Sequence, residues 1–199
     1  MNKKDSHNNI MEDASSYDKF IEENLAETYP RTARRIINGY KITKGRCLDI
    51  GCGTGWLEIE LAKISNLQLI GLDINPSFAE FASKKIYNVG FSNRVSFLAG
   101  DVHKLPFLDN TFDLIVSRGS VPAWTDRVRA FREIYRVLKH DGVAFVGGRY
   151  LYAPEGYKIT TEELRESIIK TCIPEIKIIE IGGQWVEITG PNWKASSTL

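Results

Sequence analysis

The sequence has few cysteines, no long apolar run and no excess of basic residues. Its three cysteines, Cys47, Cys52 and Cys172, form no CxxC pair, which argues against a disulfide framework and favours a reducing, cytoplasmic setting. No apolar run approaches the roughly 20 residues that span a bilayer, and the first residues lack the apolar centre of a signal peptide. The net charge of +1 gives no electrostatic footprint for nucleic acid. We therefore expect a soluble protein with neither a nucleic-acid nor a membrane partner.

The 199 residues are enough for one domain with a sizeable core. Residues 1–16 are polar and are expected to form a mobile N-terminal tail, followed by a single domain over 17–199. Helical periodicity covers residues 17–38, and a break in that helix is expected near Pro30.

Apolar runs and helical patterns alternate along the rest of the chain. Strands are predicted over 46–50, 67–74, 94–101, 112–119 and 143–148, and helices over 56–64, 76–90, 125–140 and 161–172. Two final apolar runs meet at Gly182-Gly183, so they must pair as an antiparallel hairpin. This alternation predicts an α/β fold with a doubly wound sheet that is covered on both faces.

The stretch RCLDIGCGTGWLEIEL, residues 46–61, places three glycines directly after the first strand. The loop lacks the Gly-Lys-Ser/Thr of a phosphate-binding P-loop. Trp56 stands where a dinucleotide fingerprint would need its third glycine, which speaks against NAD and FAD. Asp49 leads the loop and suits a cation, and Asp73 ends the second strand at the usual separation for an acid that binds ribose. The implied ligand has a ribose, polar edges and a positive group but needs no phosphate, a description that S-adenosylmethionine fits.

Four motifs occur in order along the chain: LDIGCGTG (48–55), GLDIN (71–75), AGDVHKLPFLDNTFDLIVS (99–117) and FREIYRVLKHDGVAFVG (131–147). In these motifs the sequence resembles the class I S-adenosylmethionine-dependent methyltransferases, in particular the small-molecule enzymes similar to those of ubiquinone/menaquinone biosynthesis. The resemblance implies a Rossmann-like seven-stranded sheet of order 3-2-1-4-5-7-6 with strand 7 antiparallel. It also implies methyl transfer to a small-molecule acceptor, with S-adenosylhomocysteine as the product.

The resemblance further implies cofactor-binding residues at the carboxyl ends of the first four strands: Asp49, Gly51, Cys52, Gly53, Asp73, Ile74, Asp101, Val102, Ser117 and Arg118. Asp49 would hold the methionine amino group, directly or through water, or would instead cap backbone amides. Asp73 would bind the ribose hydroxyls. Ile74 would pack on the adenine ring, and Asp101 and the Val102 amide would bind its polar edge. Cys52 is also interpreted as a small buried filler of the loop.

Two residues are candidates for a catalytic role, and each has an alternative interpretation. His103 could act as a general base because histidine titrates near neutrality, or it could be a histidine of a surface loop. Arg118 could clamp a carboxylate of cofactor or acceptor, or it could form a salt bridge with an acid such as Asp49. Tyr17 and Tyr29 are expected to cover the cofactor, and Trp124 either lines the acceptor pocket or packs on the sheet.

No metal site is expected, and the identity of the acceptor stays open. Ser117-Arg118-Gly119-Ser120 replaces the Asn/Asp-Pro-Pro-Tyr/Phe motif of adenine and glutamine methylation. A small acceptor is favoured, or one supplied by a partner protein or a second subunit. The alternative function is a non-catalytic module that binds S-adenosylmethionine and regulates or scaffolds a partner.

Overall fold

The structure of the chain, a computed structural model, describes residues 13–148, 159–180 and 183–194. Within these residues, seven strands form one sheet in the order β3-β2-β1-β4-β5-β7-β6. The strands are β1 (Lys44–Ile50), β2 (Asn66–Asp73), β3 (Val95–Ala99), β4 (Phe112–Arg118), β5 (Leu138–Gly148), β6 (Ile176–Glu180) and β7 (Gln184–Thr189). Strands β1 to β5 pair in parallel, whereas β7 runs antiparallel to both β5 and β6. The predicted order and the reversed last strand are confirmed.

Helices cover both faces of the sheet. They are α1 (Ala14–Asn24), α2 (Thr28–Tyr40), α3 (Trp56–Ile64), α4 (Pro76–Asn88), α5 (Arg127–Val137) and α6 (Thr161–Thr171). Apolar side chains of α1 to α4 share one core cluster, and those of α5 and α6 share the other. Successive residues of a strand point to opposite faces, so Cys47 joins the first cluster and Leu48 the second.

The N-terminal region differs from its prediction. Helix α1 begins at Ala14, where the Asp13 side chain accepts a 2.7 Å hydrogen bond from the Ser16 amide, so residues 14–16 are not part of a tail. Residues 1–12 lie outside the described residues. The helical region is interrupted at residues 25–27, and Pro30 lies in the first turn of α2, where its missing N–H costs no helical bond.

The helix predicted over 125–140 is shorter than expected, and the strand after it is longer. Helix α5 ends at Val137, and Leu138 already pairs with Phe112 of β4. A register shift between Phe112 and Leu114 accommodates the extra residues, so Asp141 and Gly142 lie inside β5 instead of ending a helix. In the described part of the chain, no helix is long and apolar enough to cross a bilayer.

Candidate functional site

A cavity of about 450 Å³ opens at the carboxyl ends of β1, β2 and β4. This is the edge at which open α/β sheets bind ligands. Helices α1 and α2, together called the N-terminal cover, close it from above with Tyr17, Phe20, Ile21, Leu25 and Tyr29. The floor and sides include the glycine loop (residues 51–55), the end of β2 and the segment after β4.

The glycine loop brings backbone directly to the cavity. Gly51 and Gly53 have φ values of 71° and 54°, in the left-handed region that residues with a side chain rarely adopt. A Cβ added at Gly51 would lie 2.4 Å from the Cβ of Ser120, and one at Gly53 would lie 3.1 Å from Tyr17. Both positions therefore require glycine, because of their backbone conformation and because a Cβ would come too close to a neighbour. The loop forms a concave surface that larger side chains would fill.

Asp73 fixes this loop from the end of β2. Its Oδ2 accepts a 3.0 Å hydrogen bond from the Gly53 amide, and its Oδ1 accepts one of 3.0 Å from the Asn75 amide. Burial raises the pKa of Asp73, and the hydrogen bonds from these amides oppose the rise. Asn75, not Asp73, caps α4 by accepting a bond from Ser77, so Asp73 lines the cavity without serving as that cap.

Ile74 and Val102 lie beside Asp73 and Asp101 in the wall of the cavity. The Ile74 side chain is 73% exposed, an unusual position for a large apolar group, and it offers a flat apolar contact at the cavity rim. Val102 begins a short 3-10 helix whose first amides are free of intrahelical partners. An exposed apolar side chain and the start of a short helix thus lie together in the cavity wall.

His103 makes a hydrogen bond through each ring nitrogen. Its Nδ1 lies 2.6 Å from Oδ1 of Asp101, and its Nε2 accepts a 3.1 Å bond from the Asp126 amide. The same Asp101 oxygen accepts the His103 backbone N–H at 2.9 Å, and that bond is the main cause of the lowered pKa of Asp101. His103 thus links the turn after β3 to the start of α5, and no ring nitrogen is left for a substrate.

Asp49 is 2% exposed and does not itself line the cavity. It lies close behind the wall, because it stands at the end of β1 directly before Ile50 and Gly51, which both line the cavity. Its Oδ1 is buried without a hydrogen-bond donor among the described residues. The second acid is Glu58 of α3, fully buried beside Asp49 and missed by the sequence analysis. An acid flanked by the buried Leu57 and Ile59 was the available signal.

Among the described residues, Arg118 makes no salt bridge with Asp49 or another acid, and its partners belong to α2. Its Nη2 donates a 2.7 Å hydrogen bond to the Thr28 hydroxyl, and its Cζ lies 4.0 Å from the centre of the Tyr29 ring. Burial raises the pKa of Tyr29 to about 12, and the nearby guanidinium opposes that rise. Arg118 therefore joins the end of β4 to the N-terminal cover while remaining in the cavity wall.

Ser117 and Cys52 do not line the cavity, contrary to expectation. Ser117 is fully buried, and its Oγ lies 2.6 Å from Oγ of Ser120. Ser120 in turn donates a hydrogen bond to the Ile50 carbonyl, and it lines the cavity wall instead of Ser117. Cys52 is buried with its Sγ 3.7 Å from the Gly53 carbonyl, which agrees with the filler interpretation.

Trp56 anchors the N-terminal cover, a role that the sequence did not indicate. Its Nε1 donates a 2.7 Å hydrogen bond to Asp18 of α1. Lys85 of α4 lies 3.6 Å from the Trp56 ring centre and 2.6 Å from the same Asp18 oxygen. The indole at the position of the dinucleotide fingerprint's third glycine thus connects α1, α3 and α4 beside the cavity.

These features fit S-adenosylmethionine. The glycine loop gives backbone contact, the orphaned acceptor on Asp49 suits an ammonium group, and Asp73 presents a carboxylate at the end of β2. Trp124, 5% exposed, reaches the cavity wall and packs edge-to-face on Phe131 of α5.

Comparison with known proteins agrees with this geometry. Residues 48–146 match the protein family described as the methyltransferase domain. A Methanococcus maripaludis protein assigned as an S-adenosyl-L-methionine-dependent methyltransferase has a crystal structure that superposes with a TM-score of 0.82. It is 34% identical to this chain, and the match covers 91% of this chain and 93% of that one.

Two curated enzymes are also similar. The demethylmenaquinone methyltransferase of Lactobacillus johnsonii is 32% identical over 70% of this chain. The rice chloroplastic 2-methyl-6-phytyl-1,4-hydroquinone methyltransferase 1 is 32% identical over the same share. The chain spans 58% and 44% of these two proteins respectively, which is about half the length of the curated relatives.

Proposed function

Because the chain belongs to the S-adenosylmethionine-dependent methyltransferase family, we propose that it transfers a methyl group from S-adenosylmethionine to a small-molecule acceptor. The observation that carries the proposal is the cavity at the switch point of the sheet, bounded by the glycine loop and Asp73. When bound, the cofactor supplies an electrophilic methyl group on a sulfonium. The protein's task is then to orient the two reactants and exclude water.

We assign the cofactor contacts as follows. Asp73 accepts hydrogen bonds from the ribose hydroxyls, and the backbone of Gly51 and Gly53 lies against the methionine part. Ile74 covers the adenine ring, while Asp101 and the Val102 amide bind its edge. Asp49 holds the amino group from behind the wall, so a bridging water is the arrangement that its burial favours.

The acceptor side of the cavity is mainly apolar and aromatic. Phe20, Leu25, Tyr29, Pro122 and Trp124 line it, with Arg118 as a cation among them. We propose an aromatic or otherwise apolar small acceptor, in keeping with the hydroquinone and menaquinone precursors in the names of the two enzymes above. An acceptor delivered by a partner protein or a second subunit is compatible with the same lining.

We further propose that residues 17–199 act as one methyltransferase domain, which α1 extends to Ala14, and that the protein works in the cytoplasm. The support for the compartment is the free state of Cys47, Cys52 and Cys172.

Calorimetry with S-adenosylmethionine, S-adenosylhomocysteine and NADH tests the cofactor. Binding of the first two without NADH is expected, and binding of NADH alone would refute the assignment. Incubation with a panel of quinols, phenols and small thiols, monitored as S-adenosylhomocysteine formation, then tests transfer. Tight cofactor binding with no product from any acceptor would favour the non-catalytic binding module.

A further inference from the structure

Glu58 is a fully buried acid that the proposed cofactor contacts do not use. It is the third residue of α3, directly after the glycine loop, and its side chain is 0% exposed. Neither carboxyl oxygen has a hydrogen-bond donor among the other described residues. A buried carboxyl in this state is costly unless it is neutral or paired.

The sheet leaves room for this carboxyl beside Asp49. Gly71 of β2 stands opposite Asp49 of β1 in the parallel register. A Cβ added at Gly71 would lie 2.4 Å from Cδ1 of Phe97 and 2.5 Å from Oε1 of Glu58, so the ring and the acid together occupy the space of the absent side chain. On that face of the sheet the Glu58 and Asp49 carboxyls are therefore neighbours, and each acts on the pKa of the other.

Two carboxyls in contact inside a protein do not both ionise, so the pair holds one proton. Burial and the charge of Asp73 raise the pKa of Asp49, but the Arg118 guanidinium and the contact with Glu58 oppose that rise and favour its charged form. Burial and the neighbouring Asp49 raise the pKa of Glu58 well above its usual range. The other titratable groups that interact with Glu58 come from five segments of the fold: Cys47 on β1, Cys52 in the loop, Asp73 on β2, Tyr29 on α2 and Lys85 on α4.

We propose that Glu58 is a positioning residue that carries a proton, donates a hydrogen bond to Asp49, and thereby keeps the negative charge of the pair on Asp49, facing the cationic end of the cofactor. This inference rests on the proposed function, since it assumes that Asp49 serves the methionine amino group. It assigns to α3 a part in cofactor binding that Glu58 performs without touching the cofactor.

The first test needs no cofactor. Glu58→Gln retains a hydrogen-bond donor but removes the titratable carboxyl. The free energies of unfolding of wild type and variant should therefore diverge as the pH rises. The folded wild type binds a proton that the unfolded chain releases above about pH 4.3. Wild-type stability relative to the variant should therefore fall, by up to about tenfold in the folding constant per pH unit, until the raised pKa of Glu58 is reached.

Urea unfolding over a pH series measures this difference, with Glu166→Gln as the control. Glu166 lies on α6 with a 60% exposed side chain, 3.8 Å from Lys170, and its variant should follow the wild type. The infrared band of a protonated carboxylic acid should be present in the wild type at neutral pH and absent from Glu58→Gln. If Glu58→Gln keeps both the band and the wild-type pH dependence, the proton resides on Asp49 and the inference is wrong.

The second test is the affinity for S-adenosylhomocysteine at neutral pH. Glu58→Gln should bind within about threefold of the wild type because its amide still donates to Asp49, whereas Glu58→Leu should lose about tenfold or more. Equal affinities of the Gln and Leu variants would overturn the positioning role. If Glu58→Leu does not fold, the pH series and the infrared band still decide. Failure of the wild type to bind S-adenosylhomocysteine would refute the proposed function instead, with the unfolding difference unaffected.

Discussion

Arg118 places its guanidinium over the ring of Tyr29, with its Cζ 4.0 Å from the ring centre. The same group donates a hydrogen bond to Thr28, so one side chain at the end of β4 holds the first turn of α2 in two ways. The N-terminal cover is thus fastened at one point to the sheet edge that borders the cavity, through the Arg118 guanidinium.

We expect Arg118→Ala to lower the free energy of unfolding by about 1–2 kcal/mol, through loss of the cation–π contact and the Thr28 hydrogen bond. Arg118→Lys should recover less than half of that loss, because an ammonium lacks the planar fork. Urea denaturation measures both variants. Arg165→Lys, at a 57% exposed position on α6, is the matched control. Wild-type stability in both Arg118 variants would contradict the fastening role.

The second fastening point of the cover is Trp56. Trp56→Phe keeps an aromatic ring for Lys85 but removes the indole N–H that binds Asp18. We expect α1 to exchange its amide hydrogens about tenfold faster, in line with a loss of about 1–1.5 kcal/mol. Hydrogen-exchange mass spectrometry of the peptide covering α1 makes the measurement, with α6 as the internal reference. Faster exchange in both helices would mean global destabilisation instead of local release.

Asp73 provides the most direct test of cofactor binding. Losing two charge-assisted bonds to the ribose should cost about 2–4 kcal/mol, so Asp73→Ala should bind S-adenosylhomocysteine at least about tenfold more weakly. Thermal unfolding of the unliganded variant serves as the control for the fold, since Asp73 also accepts from Gly53 and Asn75. Unchanged affinity would mean that the ribose is held elsewhere.

The same residue predicts a pH dependence. Burial raises the pKa of Asp73 above its ordinary value, and only the carboxylate accepts both ribose hydroxyls. The affinity of the wild type for S-adenosylhomocysteine should therefore fall as the pH is lowered through that raised pKa. Asp73→Asn should bind S-adenosylhomocysteine weakly, with an affinity that depends less on pH. Calorimetry at several pH values measures both. A variant profile parallel to that of the wild type would assign the titration to another group.

Much of the fold could be predicted because its signals are local. Glycine density, strand-ending acids and alternating apolar runs occur at fixed spacings, and they place Gly51, Gly53 and Asp73 at one sheet edge. The start of α1 at Ala14 was missed although Asp13, a preferred cap residue, marks it locally. The early start of β5 at Leu138 could not be predicted, since a register shift near Phe112 decides it.

Residues of the cavity wall could be predicted only where the end of a strand places them there. Asp73 and Ile74 follow from strand ends, but Ser117 is fully buried beneath Ser120, which lines the cavity in its place. The Arg118–Tyr29 and Trp56–Asp18 contacts join segments far apart in the chain. Glu58 is acidic in a helix that is otherwise mostly apolar, and only tertiary packing shows that it meets Asp49.

The last prediction concerns His103, whose two hydrogen bonds determine which ring nitrogen carries the hydrogen. The Asp101 carboxylate can only accept, so Nδ1 carries the hydrogen. The Asp126 amide can only donate, so Nε2 presents its lone pair to that amide. Placing a proton on Nε2 would break the bond to Asp126. We therefore expect His103→Gln to reduce the free energy of unfolding by about 1 kcal/mol.

Turnover per folded molecule should stay within about threefold of the wild type in His103→Gln, because general-base catalysis contributes about 10²–10⁴-fold where it operates. Urea unfolding measures the first effect, and S-adenosylhomocysteine formation with the acceptor found by the panel measures the second. A ring ¹⁵N spectrum that reports the Nδ1–H tautomer with and without S-adenosylhomocysteine gives a check independent of the acceptor. A hundredfold loss of turnover at unchanged stability would restore His103 as the base, and would require the Asp126 bond to open when the acceptor binds.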